Sequence, residues 1–288
     1  MMSYQKYFRI ADIRIHIKSD SPFTVSSKYL PFEQAPEPSD VEFQIDTRHQ
    51  PDLSGFQPIF HSGNITFLRC GNQSAKLKHS ADSPALYDWC LLQRSESSFT
   101  LFLYRNLTNH LSAFHCLYFV ELSSFLIHFQ SMLLHSSVIC VNGCGIAFTA
   151  PSGTGKSTQA DLWKKYRRAV IINGDRGIIR RQNGYKIYGS TFAGSSNIYK
   201  NESVPLTAIV VLRQASQNHI QKMGKKEAYL NLLSQMSVSS WNKDTVTQQM
   251  QWLEQLIEEV PVYLLESLPN QGAVDTLYGA LQESLSER

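Results

Sequence analysis

Residues 145–158 read Gly-Ile-Ala-Phe-Thr-Ala-Pro-Ser-Gly-Thr-Gly-Lys-Ser-Thr. Gly145 to Phe148 has the pattern of a short buried strand, and helical character runs from Ser157 to Tyr166. A strand, a glycine-rich loop and a helix in that order make an anion cradle. Gly153 and Gly155 permit the backbone angles that turn successive N–H groups inward, and a helix beginning near Lys156 adds the positive end of its dipole. Lys156 is placed to reach the β- and γ-phosphates of a nucleotide, and the Ser157 hydroxyl to ligate Mg²⁺. The expected nucleotide-binding residues are Ser152, Gly153, Thr154, Gly155, Lys156, Ser157 and Thr158, with ATP and Mg²⁺ as ligands. The pattern GxxxxGK[ST] asks for glycine at 150, where Ala150 stands. Alanine takes a left-handed angle only at a cost, so a different loop geometry is expected there.

Upstream, Ser137 to Val141 and Cys144 to Thr149 are two apolar runs around Asn142-Gly143, a dipeptide suited to a tight primed turn. A hairpin therefore feeds the loop. The run Leu111 to Leu134 is long enough to cross a bilayer, yet it carries His115, Glu121, His128 and Gln130, so a buried or half-buried helix ending at His135 is expected. Before it, Tyr7 to Tyr104 reads as short alternating segments, among them Arg9–Ile17, Val41–Ile45, Ile65–Cys70 and Phe99–Tyr104. Residues 1–107 are read as a β-rich part with an antiparallel sheet, structural or partner-binding, because no titratable cluster with catalytic spacing falls in them.

Downstream, the apolar strand Ala169 to Ile172 leads through Asn173-Gly174 to Asp175, 19 positions after Lys156. Phosphoryl transfer needs a carboxylate at such a place, to hold Mg²⁺ or to accept the proton of an attacking hydroxyl. Gly177–Arg181 and Tyr185–Tyr188 form a second expected hairpin around Asn183-Gly184. Leu206–Leu212 and Val262–Leu265 read as strands, and Lys225–Gln235 and Thr247–Glu259 as helices. Strands and helices mix on both sides of the loop, so residues 108–288 are read as an α/β unit, an α+β mixed sheet. Lys200 and Arg213 are further candidates to touch nucleotide or substrate.

His135, the loop and Asp175, in that order and spacing, resemble the kinase domain of HPr kinase/phosphorylase and the wider superfamily that includes ATP-dependent phosphoenolpyruvate carboxykinase. The resemblance covers about His135 to Leu212. It implies a P-loop core of that type, with His135 near the transferred phosphoryl group and Lys156 and Ser157 on nucleotide and Mg²⁺. Asp175 corresponds to the second of two adjacent aspartates, and Gly174 stands where the first would be. Tyr188 to Ser196, with Pro205-Leu206 and the strand to Leu212, also looks like members of unassigned substrate that accompany peptide-modification systems. The resemblance makes Asp175, His135 and Lys156 the expected catalytic residues, and Ser157 and Asp175 the expected metal ligands.

The totals exclude several other classes. A formal net charge of +3 over 288 residues, with the basic residues scattered, gives no nucleic-acid footprint. The five cysteines form an odd set without a CxxC pair, and the N-terminus lacks a signal-peptide core, so a cytoplasmic protein with no membrane segment is expected. The sequence thus reads as an HPr kinase-like kinase acting on a serine of a protein or peptide. The alternative is a non-catalytic nucleotide-binding module in a peptide-processing or regulatory assembly. A homo-oligomer is left open.

Overall fold

The computed structural model describes residues 4–80, 87–103, 125–239 and 241–286. The chain divides into two compact units, one of residues 1–128 with 239–243, the other of 129–238 with 244–288. Both are built on mixed sheets, and the whole is a mixed α+β protein.

The first unit is an eight-stranded sheet. Its strands are β1 (Tyr4–Ile10), β2 (Ile13–Ser19), β3 (Val41–Asp46), β4 (Gln57–Ser62), β5 (Ile65–Cys70), β6 (Gln73–His79), β7 (Tyr87–Ser95) and β8 (Ser98–Leu103), in the order β1-β2-β3-β8-β7-β6-β5-β4. Period-two burial fixes the pleat: Val41, Phe43 and Ile45 are buried while Glu42 and Gln44 face outward. Two sequence expectations are corrected here. Arg9–Ile17 is not one strand but the heart of a hairpin, turned at Ala11 (φ 51°) and Asp12 (φ 58°). The sheet is also not purely antiparallel, because β3 runs parallel to both β2 and β8.

The second unit holds β9 (Ser131–Val141), β10 (Cys144–Thr149), α1 (Lys156–Arg167), β11 (Val170–Asn173), β12 (Arg176–Arg181), β13 (Tyr185–Tyr188), β14 (Ser203–Gln214), β15 (His219–Lys222), α2 (Lys225–Leu233), α3 (Lys243–Glu259), β16 (Val262–Ser267) and α4 (Gln271–Ser286). Of the expected helix Leu111–Leu134, residues 111–124 lie outside the described part. The remainder has a short 3-10 turn, Ile127–Phe129, and then enters β9. Met132 to Leu134 pair with β12, so the end of that apolar run is a buried strand, which lacks a period that separates it from a buried helix.

β9 and β14 are long enough to serve two layers. The first half of β9 pairs with β12 and its second half with β10 and β11. β14 likewise begins beside β13 and continues parallel to β10 and β16. Pairings therefore run from β9 through β12, β13, β14 and β10 back to β9. One layer is β11-β9-β10-β14-β16-β15, with β10, β14 and β16 parallel, so their carboxyl ends open on one edge. Helix α1 buries Gln159, Ala160 and Trp163 on one stripe, and α4 buries Val274, Leu277, Leu281 and Leu285 in the same core. Helix α3 packs Trp252 edge-on to Tyr185 of β13. No helix among the described residues is long and apolar enough to cross a membrane.

Candidate functional site

Strand β10 is buried throughout and delivers the chain to an exposed loop, Pro151 to Gly153. Gly153 (φ 81°) and Gly155 (φ 116°) both take left-handed backbone angles, and a Cβ at either would meet nothing within 4 Å. Glycine is needed there for conformation and not for space. Ala150 is not among the residues with positive φ, so the left-handed angle that alanine takes only at a cost is not adopted there. Gly155 is the N-cap of α1, and no side chain caps the first turn. The amides that open the helix are thus left for a partner of another kind.

Lys156 is only 8% exposed. Its Nζ donates to the carbonyl oxygens of Ala150 at 2.9 Å and Pro151 at 3.3 Å. Burial lowers its pKa from the usual value, and the negative charge of Asp175 partly opposes the change. Ser157 and Thr158 are exposed at the mouth of the loop.

Strand register brings His135 and Asp175 to the same place. Asn173 pairs with Val138 and Arg176 with His135, so the break between β11 and β12 lies opposite Ser136 and Ser137 of β9. On the other edge of β9, Ser136 pairs with Thr149, the last residue of β10. The start of the loop and the start of the break are thus one strand apart. Backbone bonds hold the junction: Ser136 N–H donates to the Asp175 carbonyl at 2.8 Å, and the Thr149 hydroxyl to the His135 carbonyl at 2.8 Å. Buried Asn173 accepts from the N–H groups of Asp175 and Arg176 at its Oδ1 and donates from Nδ2 to the Ser190 carbonyl.

The side chains meet loosely. His135 Nε2 stands 3.5 Å from Asp175 Oδ1, and Arg176 Nε is 3.5 Å from Oδ2. Burial lowers the His135 pKa, the positive charge of Lys156 lowers it further, and Asp175 pulls the other way. Burial prevails, so the ring is neutral at pH 7 and its contact with Asp175 is not an ion pair. A second carboxylate next to Asp175 has no room: a Cβ on Gly174 would lie 1.7 Å from Ser196 Oγ. The 3-10 turn Gly194–Ser196 fills that space, and a Cβ on Gly194 would lie 2.8 Å from Asp175 Cβ.

On the opposite flank of β10, a cleft of about 430 Å³ opens over the ends of β14 and β16. Gly153, Thr154, Gly155 and Thr158 form one wall, and Leu212 to Ala215 with Ser267 to Pro269 form the other. Arg213 lines this cleft and pairs with Glu266 at 3.2 Å, whereas Lys200 pairs with Glu202 at 3.8 Å and does not line it. Gln159, which is not among the expected site residues, is buried beneath the cleft and donates from Nε2 to Ser267 Oγ at 3.2 Å. A polar side chain on the inward stripe of a helix that starts at such a loop is the signal that could have found it.

The family described as "ScmC: SynChlorMet cassette protein ScmC" matches residues 111–283, more than half of the chain. The chain belongs to the ScmC family. The matched span carries every residue described at this site, while all of the first sheet lies before it. No curated protein matches the sequence. Among solved structures, one titled "Structure of the Hpr(Ser) kinase/phosphatase from Coxiella burnetii" is 10% identical over 53% of this chain and 97% of that chain, with a TM-score of 0.33. That is a distant resemblance and decides nothing about the chemistry of this chain.

Proposed function

We propose that the chain is an ATP-dependent kinase with an HPr kinase-like P-loop core, transferring the terminal phosphoryl group of a Mg-nucleotide to a serine hydroxyl of a protein or peptide. The observation that carries this reading is the meeting of Lys156, His135 and Asp175 beside an uncapped helix N-terminus. Backbone N–H groups of Gly153 to Ser157 bind the phosphates, and Lys156 exchanges its two carbonyl partners for phosphate oxygens. The acceptor hydroxyl attacks the γ-phosphorus as the bond to the β–γ bridging oxygen breaks, and that electron pair leaves with the nucleoside diphosphate. Asp175 takes the hydroxyl proton. His135, neutral and 3.5 Å away, orients the carboxylate without cancelling its charge.

No group of three or more His, Cys, Asp or Glu able to hold a metal occurs among the described residues. The oxygens of Ser157 and Asp175 nevertheless suit Mg²⁺, which takes few protein ligands and keeps phosphate and water oxygens. Bound there, it would neutralise charge on the phosphates. The family description names a cassette, and we read the acceptor as another product of that cassette.

The second reading, a nucleotide-binding module without turnover, draws on the single carboxylate: the Ser196 hydroxyl fills the space of a second one. Radiolabelled ATP with cassette proteins as acceptors separates the two. For a kinase, Asp175→Asn lowers label transfer by about 100-fold or more at saturating Mg-ATP. Equal transfer by both proteins overturns the role of Asp175. Tight binding with no transfer to any acceptor establishes the module.

A further inference from the structure

We propose that the cleft over β14 and β16 is the nucleoside subsite, and that Gln159 reads the base. This rests on the phosphate-binding reading of the loop and adds a direction to it. Sheet order fixes that direction: Asp175 follows β11, on one side of β10, whereas the cleft lies on the other. A nucleotide with its phosphates on the loop therefore runs across the strand ends, its γ-phosphate toward Asp175 and its base toward Ser267.

The cleft has the chemistry of a base site. Leu212, Ala215, Leu268 and Pro269 supply apolar surface for a flat ring, and its volume of about 430 Å³ is of the size that small-ligand pockets have. Gln159 supplies the polar contact. It is 4% exposed, its Nε2 is committed to Ser267 Oγ, and its Oε1 is buried with no hydrogen-bond partner. A buried carbonyl oxygen lacking a donor is costly, and the exocyclic amine of adenine is a donor of the right kind. Exposed Leu268 closes the rim.

Calorimetry on the full chain with Mg²⁺ tests this using three probes: ATP, ITP, which lacks the exocyclic amine, and inorganic tripolyphosphate, which has no nucleoside. The wild-type chain should bind ATP about tenfold or more tighter than tripolyphosphate, and tighter than ITP. Ala215→Trp, which fills the cleft, should abolish the margin over tripolyphosphate while leaving tripolyphosphate affinity within about twofold. Retention of that affinity also shows that the variant folds. Leu268→Ala, at a rim position that does not endanger the fold, should weaken ATP alone by about threefold. Gln159→Leu should bring ATP and ITP to within about twofold of each other. Equal wild-type affinity for ATP and tripolyphosphate overturns the subsite, as does unchanged ATP affinity in both cleft variants. An unchanged ATP-to-ITP ratio in Gln159→Leu overturns the role of Gln159. If the wild-type chain binds neither ATP nor tripolyphosphate, it is the phosphate-loop reading that fails.

Discussion

The two sheets treat their charges differently. In the first, cations meet carboxylates directly: Arg9 grips Glu37 with two bonds of 2.7 and 2.9 Å, Arg14 is bidentate on Asp40, and Lys6 bonds Glu33. Around the loop of the second, Asp175 stands 3.5 Å from both His135 and Arg176, and Lys156 rests on main-chain carbonyls. Charges that satisfy one another hold strands together. Charges held just beyond hydrogen-bond range, behind an uncapped helix start, remain available to a third party.

The sharpest way to break this contrast is to crowd the second site with a fully engaged charge. Gly174→Asp sets a second carboxylate beside Asp175, but its Cβ would fall 1.7 Å from Ser196 Oγ and 2.7 Å from Ser196 Cβ. The turn Gly194–Ser196 must then move. The expected cost is about 2–3 kcal/mol, read as a lowered urea midpoint with an unchanged slope. Adding Ser196→Gly should recover at least half of it, because the two residues occupy one space. If Gly174→Asp unfolds at the wild-type midpoint, the turn is not the rigid neighbour described, and the single carboxylate has no steric cause.

Much of the fold around the loop was legible because its local rules agree. Asn142-Gly143 and Asn183-Gly184 take the positive φ angles that their hairpins require, and the loop lies between β10 and α1. The turn at Ala11-Asp12 was not legible, since Ala11 is an unusual choice for a left-handed angle and no glycine follows Asp12. The start of β9 was hidden by a uniformly apolar run, whose strand character comes from pairing with β12 more than 40 positions later. Helix α4 shows apolar spacing at Ala273, Val274, Leu277, Leu281 and Leu285, but Gly272 and Gly279 interrupt its helix-forming composition. Gln159 is legible locally only as a polar residue on an inward helical stripe, because its partner Ser267 is brought to it by β16 from 108 positions away.

Protonation tests the contrast in solution. His135 in the second unit and His16 and His128 in the first all have pKa values pushed below 6.5, chiefly by burial. Below pH 6.5 the unfolded chain therefore binds more protons than the folded one. The stability that neutral rings allow is complete above 6.5 and is lost as pH falls toward the lowered folded values. Urea midpoints at pH 7.5 and 5.5 should show this loss in the wild-type chain and a smaller loss in His135→Gln. A larger loss in the variant means that the ring is charged in the folded state, and the Asp175 contact is then an ion pair like those of the first sheet.

The smallest effect is expected where charges are already paired. Lys6 and Glu33 are both partly open to solvent, with side chains 38% and 28% exposed. Solvent screens such a pair, and fixing two flexible side chains offsets much of the attraction, so Lys6→Ala should cost about 0.5 kcal/mol or less. Mg-nucleotide affinity should be the same within error, since no residue of the loop, the Asp175 break or the cleft belongs to that sheet. A change in affinity of more than about threefold would mean that the first sheet's charges reach the site through coupling that paired side chains are not expected to transmit. Lys6→Ala is therefore the control for Gly174→Asp: a charge removed at no cost to binding in one sheet, and a charge added at a steric cost in the other.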